Sequence, residues 1–497
     1  MQSLISKIKG FYHAHPNIFL LILSLLLGFL MAILVNQICS FVYANPSSDT
    51  FVVDAASFVY GGKLLLKGYK PYFDFYDQKG IYIYYYTALG LLMGGRFGIT
   101  IVQTIVFTIF YYFFFKTLLV LKIRKSMIAG AALFFFAMFV FSGQSPSDFE
   151  IDLPFIMISL YYYSKARTLD EDKFYLYGNI FTGITTGISL NLRASDAMVP
   201  LALVIYFGVR QIISKRYKTI LPNSLICVGA IIVSSIPPLM HAYFGGFLRE
   251  MFEASFLSNF TYISTAHEGI DGFKLSARLI IAFVVIVVTS LLIIMRIKKR
   301  FTYDDTLFFA ITLGFTLFIE FIIAYYLHYL LIITPIGALF VVKVLNAFNS
   351  RKVVRGTLQT LVLMASLAAI VAYPTYYYVV QYNQDLAINE FIQSSISKED
   401  RENGSVLCYQ TSSSYYLNNN IWVGYGDFAF QINHMVISKS FTVEALKEYI
   451  LSPECKYVIM NNNWYDELAS EWIINESGLT KISSSLKGAE YISIYQK

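Results

Sequence analysis

The sequence predicts a polytopic α-helical membrane protein. It reads as about eleven transmembrane helices, interfacial helices in the first outer loop and a small extracytoplasmic α/β C-terminal domain. Three observations predict this. Of the 497 residues, 56% are hydrophobic and only 14% are charged, whereas a soluble domain is about 45–50% apolar and about 25% charged. Long apolar runs recur along most of the chain, and the mean hydropathy is +0.56. Charge is also divided: residues 1–380 carry a net +12 and residues 381–497 a net −6. This composition excludes a disordered chain, a collagen and a coiled coil, and it argues against a soluble enzyme of two or three domains. The basic residues gather in short loops and form no basic stripe with interleaved aromatics. Membrane lipids are therefore expected partners and nucleic acid is not.

The first apolar run, Ile18 to Cys39, follows Lys7 and Lys9. At about 22 residues it is long enough for a ~30 Å hydrocarbon core. No small-residue cleavage pattern follows, so it reads as a transmembrane helix and not as a cleaved signal. Ten further runs lie at 98–121, 127–142, 153–164, 175–191, 197–213, 219–241, 276–295, 306–327, 329–348 and 357–380. Another stretch, Ile81 to Gly95, holds three consecutive tyrosines but is short for a span. It suits an interfacial helix with its aromatics at headgroup level.

Positive-inside topology agrees. With 81–95 at the outer face, Lys7/Lys9, Lys122/Arg124/Lys125, Lys165/Arg167, Lys215/Arg216/Lys218, Arg296 to Arg300 and Arg351/Lys352/Arg355 all fall on the cytoplasmic side. The membrane module is then 1–380, with a cytoplasmic N-terminus and outer loops at 44–97, 143–152 and 242–275. Residues 381–497 form the extracytoplasmic domain. There, Lys456-Tyr-Val-Ile-Met and Tyr491-Ile-Ser-Ile-Tyr alternate as strands do, and 441–451 and 464–475 read as helices. Cys39 and Cys227 sit in apolar runs as packing residues. Cys408 and Cys455 lie in the polar tail, where an oxidising compartment permits one disulfide between them; separate packing thiols fit equally well.

The chemistry-bearing residues concentrate in the outer loops. Loop 44–97 gathers Asp49, Asp54, Asp74 and Asp77 among aromatics. Asp54, Phe58 and Gly62 recur at one helical face. A solvated loop whose acids cap helices is the plain alternative. The second outer loop places Asp148, Glu150 and Asp152 just before a membrane helix, with Pro154 at the helix start, a pattern that dipole and capping reasons alone also favour. Arg193 lies at the outer end of run 175–191. His328 lies between two helices on the same side, with Glu320 two turns earlier, and Arg249, Lys274 and Arg278 are further outward-side cations. Ionisable groups at membrane depth are functional candidates, although a snorkelling arginine or a packing histidine needs no function. Acids and cations on one face suit a base and a phosphate clamp. A lipid-linked sugar flippase or transporter, the rival class, needs its ionisable groups near the midplane instead.

Several of these segments together resemble the bacterial relatives of the dolichyl-phosphate-mannose protein mannosyltransferases and the lipid A aminoarabinose transferases, membrane glycosyltransferases of the GT-C type. The stretch Asp54-Ala-Ala-Ser-Phe-Val-Tyr-Gly-Gly62-Lys is similar to the family's acidic residue followed by an aromatic and a glycine. Lys70-Pro-Tyr-Phe-Asp-Phe-Tyr-Asp-Gln-Lys-Gly80 resembles its PY-x-D-x-x-D-x-K-G segment. Glu150-Ile-Asp-Leu-Pro154, Gly-Ile-Ser-Leu-Asn-Leu-Arg193 and His328-Tyr-Leu-Leu-Ile-Ile-Thr-Pro335 resemble later pieces in the same order, over roughly residues 15–345. Gln78 and Ile81 depart from the family's usual His and Pro, and the tail after 381 carries no matching motif.

The resemblance implies an inverting glycosyltransferase in the bacterial inner membrane. Its donor would be a polyprenyl-phosphate sugar, and its acceptor a hydroxyl of a cell-envelope glycan, lipid or protein. Asp54 would be the general base and Glu150 would orient substrate. Lys79, Arg193 and His328, with Arg278 behind them, would bind the donor phosphate. Asp74 and Asp77 would bind substrate or a divalent cation, Mg or Mn; no cofactor is required by the residues themselves.

Overall fold

The computed structural model describes residues 14–38, 53–123, 128–134, 145–259, 261, 272–323, 327–347, 356–357, 360–361, 363–368, 371–372, 382–428, 438, 441–462, 469–487 and 490–497. The protein is a helical membrane protein with a small C-terminal sheet. Among the described residues six helical segments are long and apolar enough to cross a membrane: Pro16–Val35, Arg96–Val120, Ala194–Ile213, Tyr217–Gly245, Arg278–Ile297 and Leu330–Ala347. Two of them, within the helices Tyr217–Gly245 and Gly272–Ile297, bury only 11% and 17% of their best span window. Leu221, Leu225, Val233, Phe244, Phe283 and Ile286 stand more than half exposed on them. So broad an apolar surface is at home only in lipid. The runs 127–142 and 357–380 lie largely outside the described residues.

Helix Asp172–Leu190 has the reverse pattern, with its polar residues turned inward. Thr182, Thr185, Thr186 and Ser189 are buried. Each donates its hydroxyl to a backbone carbonyl four residues earlier, and Thr182 also meets the Tyr163 hydroxyl of the neighbouring helix at 2.9 Å. The helix before it runs Asp148–Leu169, longer than the apolar run 153–164. Pro154 therefore lies inside the helix and does not start it, a correction to the sequence expectation. The proline removes only the N–H that would have bonded the Glu150 carbonyl, close to the helix end. Asp148 and Glu150 occupy the first turn.

That helix is about 33 Å long at 1.5 Å per residue, close to a hydrocarbon thickness, and joins two charged poles. At one end Arg167 pairs with Asp304 and Asp305, at 2.6 Å each. Arg210 reaches Asp304 at 2.9 Å and Lys343 pairs with Asp305. The Tyr206 hydroxyl donates to Asp304 at 2.8 Å. This network ties four helices together. At the other end, Asp148 faces Arg193 and the first outer loop.

Residues 53–92, within the segment expected as the first outer loop, fold into the helix Val53–Leu66, a linking loop and the helix Tyr82–Leu92. The second helix has 11 residues, about 16 Å, roughly half of what a crossing needs. The two helices meet closely at Gly62, where a Cβ would stand 2.8 Å from the Ala88 backbone nitrogen and 2.3 Å from Thr87 Oγ1.

The tail carries a four-stranded sheet in the order β1 (Val406–Tyr409), β2 (Tyr457–Asn461), β4 (Glu490–Gln496), β3 (Thr480–Lys487). β1 and β2 are parallel, and the other pairings are antiparallel. The helix Val443–Leu451 is N-capped by Thr442, whose hydroxyl accepts from the Ala445 N–H. The tail shares one apolar core with the first outer loop: Phe58, Tyr60, Phe75 and Tyr84 cluster with Tyr416, Phe428 and Ile494. The Tyr60 hydroxyl donates to the Ile421 carbonyl at 2.9 Å, and the Tyr76 N–H to the Gly426 carbonyl at 3.1 Å.

Cys408 and Cys455 are free buried thiols, so the disulfide expected as one alternative is corrected. Cys408 stands opposite Ile459 in the ladder. Cys455 lies four residues before Ile459, roughly 13 Å away at strand spacing, whereas a bridge needs Cα atoms within about 7 Å.

Candidate functional site

The loop between the two outer helices is built by its own side chains. The Tyr72 hydroxyl donates to the Lys79 carbonyl at 2.7 Å and closes the loop. Asp74 accepts the Lys70 N–H at 2.6 Å. Asp77 accepts the Lys79 N–H at 3.1 Å with one oxygen and the Tyr84 hydroxyl at 2.7 Å with the other. Gly80 then docks the loop on the end of helix Asp172–Leu190, its N–H donating to the Leu192 carbonyl at 2.7 Å. A Cβ on Gly80 would stand 2.0 Å from the Asn191 carbonyl oxygen. Only glycine permits that approach, and it sets Lys79 beside the segment that carries Arg193.

Asp54 opens the helix Val53–Leu66 and is half-buried. Burial is the largest influence on its carboxyl and pushes it above the usual range. Lys79 and then Arg193 pull it down, and Asp148 and Asp77 oppose them. Five residues singled out in the sequence, Asp54, Asp77, Lys79, Asp148 and Arg193, thus form one electrostatic cluster. Arg193 is 8% exposed and Asp148 1% exposed, paired Nε to Oδ2 at 3.1 Å. The guanidinium lies over the Phe149 ring at 4.7 Å. Lys79 is half-buried, and its Nζ has no hydrogen-bonded partner among the described residues. The cluster therefore has an accessible face of Asp54, Asp77 and Lys79, and a buried floor of Arg193 and Asp148.

The floor extends to two further carboxylates, Asp196 and Asp152. Asp196, three positions after Arg193, is buried and belongs to the same set of charges. Sequence reading missed it, although its place just past a membrane-end arginine was the available signal. Asp152 is also buried, with the Ser189 hydroxyl of the next helix beside it. Burial pushes it well above the usual range, and the neighbouring Asp196 and Asp148 push it further.

Glu150 sits elsewhere. It is fully buried, with Oε2 accepting the Tyr86 hydroxyl at 3.0 Å and the Gln103 amide at 3.1 Å, and Oε1 accepting the Ser145 hydroxyl at 2.5 Å. Burial raises its carboxyl to about 7 despite these donors. Every partner is internal, so the side chain positions the second outer loop against the helices Tyr82–Leu92 and Arg96–Val120.

Asp74 is bonded within its own loop, and Asp77 to the loop backbone and to Tyr84 of the following helix. Among the described residues no group of three or more His, Cys, Asp and Glu side chains is arranged to hold a metal ion. Arg278 is half-buried on the helix Gly272–Ile297 and is not among the charges that act on Asp54. The His328 backbone lies in the 3-10 helix Leu327–Ile333. Its side chain and that of Glu320 lie outside the described residues, as do Asp49 and the Lys274 side chain.

A scan of the chain against protein-family models gives no match, and a search of curated proteins gives none.

Proposed function

We propose that the chain is a GT-C type glycosyltransferase of about eleven spans in the bacterial inner membrane. It moves a sugar from a polyprenyl-phosphate donor to a hydroxyl of an extracytoplasmic acceptor, with inversion. The observation that carries this reading is that Asp54, a half-buried carboxylate, lies within electrostatic reach of Lys79 and Arg193. In the reaction Asp54 takes the proton of the acceptor hydroxyl. The acceptor oxygen forms its bond to the anomeric carbon as the bond from that carbon to the phosphate oxygen breaks, and the lipid phosphate leaves with the electron pair. Lys79 faces the developing phosphate charge. Arg193, held by Asp148, is a positioning cation that steadies the floor. A base whose carboxyl is raised above the usual range accepts a proton better at neutral pH than a solvated aspartate. The charges gather at the two ends of the helices and not at mid-depth, which favours this reading over a transporter.

Protein reconstituted in lipid, given radiolabelled polyprenyl-phosphate sugars and cell-envelope fractions, is expected to transfer label. Asp54→Asn is expected to lower turnover by about 10²–10⁴-fold, the usual worth of a general base. Near wild-type turnover in that variant would remove Asp54 from the role. Label that crosses the bilayer without forming a glycosidic bond would overturn the reading as a transferase.

A further inference from the structure

A second concavity lies away from the Asp54 cluster, where the far end of the helix Val53–Leu66 meets the tail. It is a cleft of ≈ 600 Å³ lined by Lys67, Glu402, Asn403, Trp422, Glu454 and Lys456, among others. That volume is within the range of small-molecule sites, about 300–1,000 Å³. Its wall is built and not incidental. Asn420, next to Trp422 but one, accepts the Lys63 ammonium at 2.7 Å and donates to Glu402 at 2.6 Å. Lys63 in turn lies over the Trp422 ring at 4.5 Å, and Lys67 at 5.2 Å. Lys63 of the helix and Lys67, just past its end, thus clasp an indole of the tail. The Trp422 N–H donates to the Arg401 carbonyl through its backbone at 2.9 Å, which pins the segment.

The lining chemistry is specific about what it fits. Among the lining residues Lys67 and Lys456 are balanced by Glu402 and Glu454, so the lining itself offers no net charge to a polyanion or a polycation. It offers carboxylate acceptors, ammonium and amide donors, and one large aromatic wall. Many hydroxyls with weakly polar C–H faces between them satisfy all of these at once. A lipid tail would leave the charged groups unpaired. The cleft also shares a helix with Asp54. Lys63 and Lys67 follow Asp54 by 9 and 13 residues, about 14 and 20 Å along the helix axis.

We propose that this cleft binds a neutral oligosaccharide, as the distal subsite of the acceptor whose reacting end reaches Asp54. The acceptor part of the proposal rests on the glycosyltransferase reading; the binding part does not.

The chain has three tryptophans, so binding can be read without turnover. In full-length protein carrying Trp464→Phe and Trp472→Phe, Trp422 is the one remaining reporter. Titration with neutral β-1,4-glucan, α-1,4-glucan and N-acetylglucosamine oligomers is expected to give a saturable emission change with at least one of them. Polyglucuronate and polyphosphate are expected to give none. Asn403→Ala and Glu454→Gln, both at exposed positions that leave the core intact, are expected to weaken that binding at least tenfold. In the transfer assay they should raise KM for the acceptor with kcat little changed. No saturable change with any neutral oligomer, or an equal response to the acidic polymers, would overturn the subsite. Saturable binding in protein that transfers no sugar would leave the subsite standing and remove the transferase reading.

Discussion

Asp54 and Glu150 are both carboxylates in the first turn of a helix, yet their surroundings give them different chemistry. Asp54 is half-buried with two cations acting on it. Glu150 is sealed among Tyr86, Gln103 and Ser145, with no cation on it, and its carboxyl is raised to about 7. The difference predicts a pH signature. An acid raised in the folded state binds its proton more tightly there than in the unfolded chain. Stability is then greatest below the unfolded value, near 4.5, and falls as pH rises toward about 7, where the loss levels off. The melting temperature of wild-type protein in one detergent is expected to decline across that window. Glu150→Gln, which cannot ionise, should flatten the decline, because the Tyr86 and Ser145 hydroxyls can turn to accept from the new amide. An unchanged slope in the variant would mean that Glu150 does not carry the titration.

At the scale of elements, the segment Lys70 to Gly80 is positioned by contacts that are almost all its own, and it ends on a backbone approach to Asn191. Gly80→Ala is therefore expected to lift the loop, lower the melting temperature and separate Lys79 from the Arg193 segment. Gly208→Ala is the control. It lies in the helix Met198–Ile213 with nothing within 4 Å of a new Cβ, so it should be neutral or stabilise by about 0.5–1 kcal/mol. Equal effects of the two on melting and turnover would refute the docking argument. This segment also shows what the sequence made legible. The spacing of Asp54, Asp77, Lys79 and Arg193 marked them as candidates, because charges are scarce in an apolar chain. Their convergence depends on Gly80 meeting Asn191, a long-range contact that no local pattern announces. The burial of Glu150 was hidden for the same reason: its three partners come from the helix Tyr82–Leu92, the helix Arg96–Val120 and the loop itself. In the tail the strands around 456–460 and 491–495 and the helix at 441–451 were legible in the local pattern, while β1 and β3 were not, and neither was the tail's continuity with the core of the 53–92 segment, since aromatic residues at a membrane surface look alike whether they face lipid or another domain.

The whole molecule sorts its charges to two poles, and sidedness follows from which pole is basic. The pole with Arg167, Arg210 and Lys343 also carries the basic turn at 215–216, with Lys215 exposed and Arg216 half-buried, and the exposed basic turn at 298–300. There Arg216 pairs with Asp170 and Asp172 at the end of helix Asp148–Leu169. The opposite pole carries the Asp54 cluster and the acidic tail, joined through the Tyr76 to Gly426 bond. The span between them, about 33 Å of helix, matches a hydrocarbon core. Positively charged short loops are retained in the cytoplasm, so the tail and the Asp54 cluster should face outward together. Cysteine labelling tests this directly, because Cys227, Cys408 and Cys455 are buried and Cys39 can be replaced by alanine. Asn403→Cys should react with an impermeant maleimide on intact cells. Lys298→Cys, on the exposed basic turn, should react only after permeabilisation. Labelling of position 298 from outside would invert the protein. It would put the Asp54 cluster in the cytoplasm, where a lipid-phosphate donor displayed on the outer leaflet could not reach it.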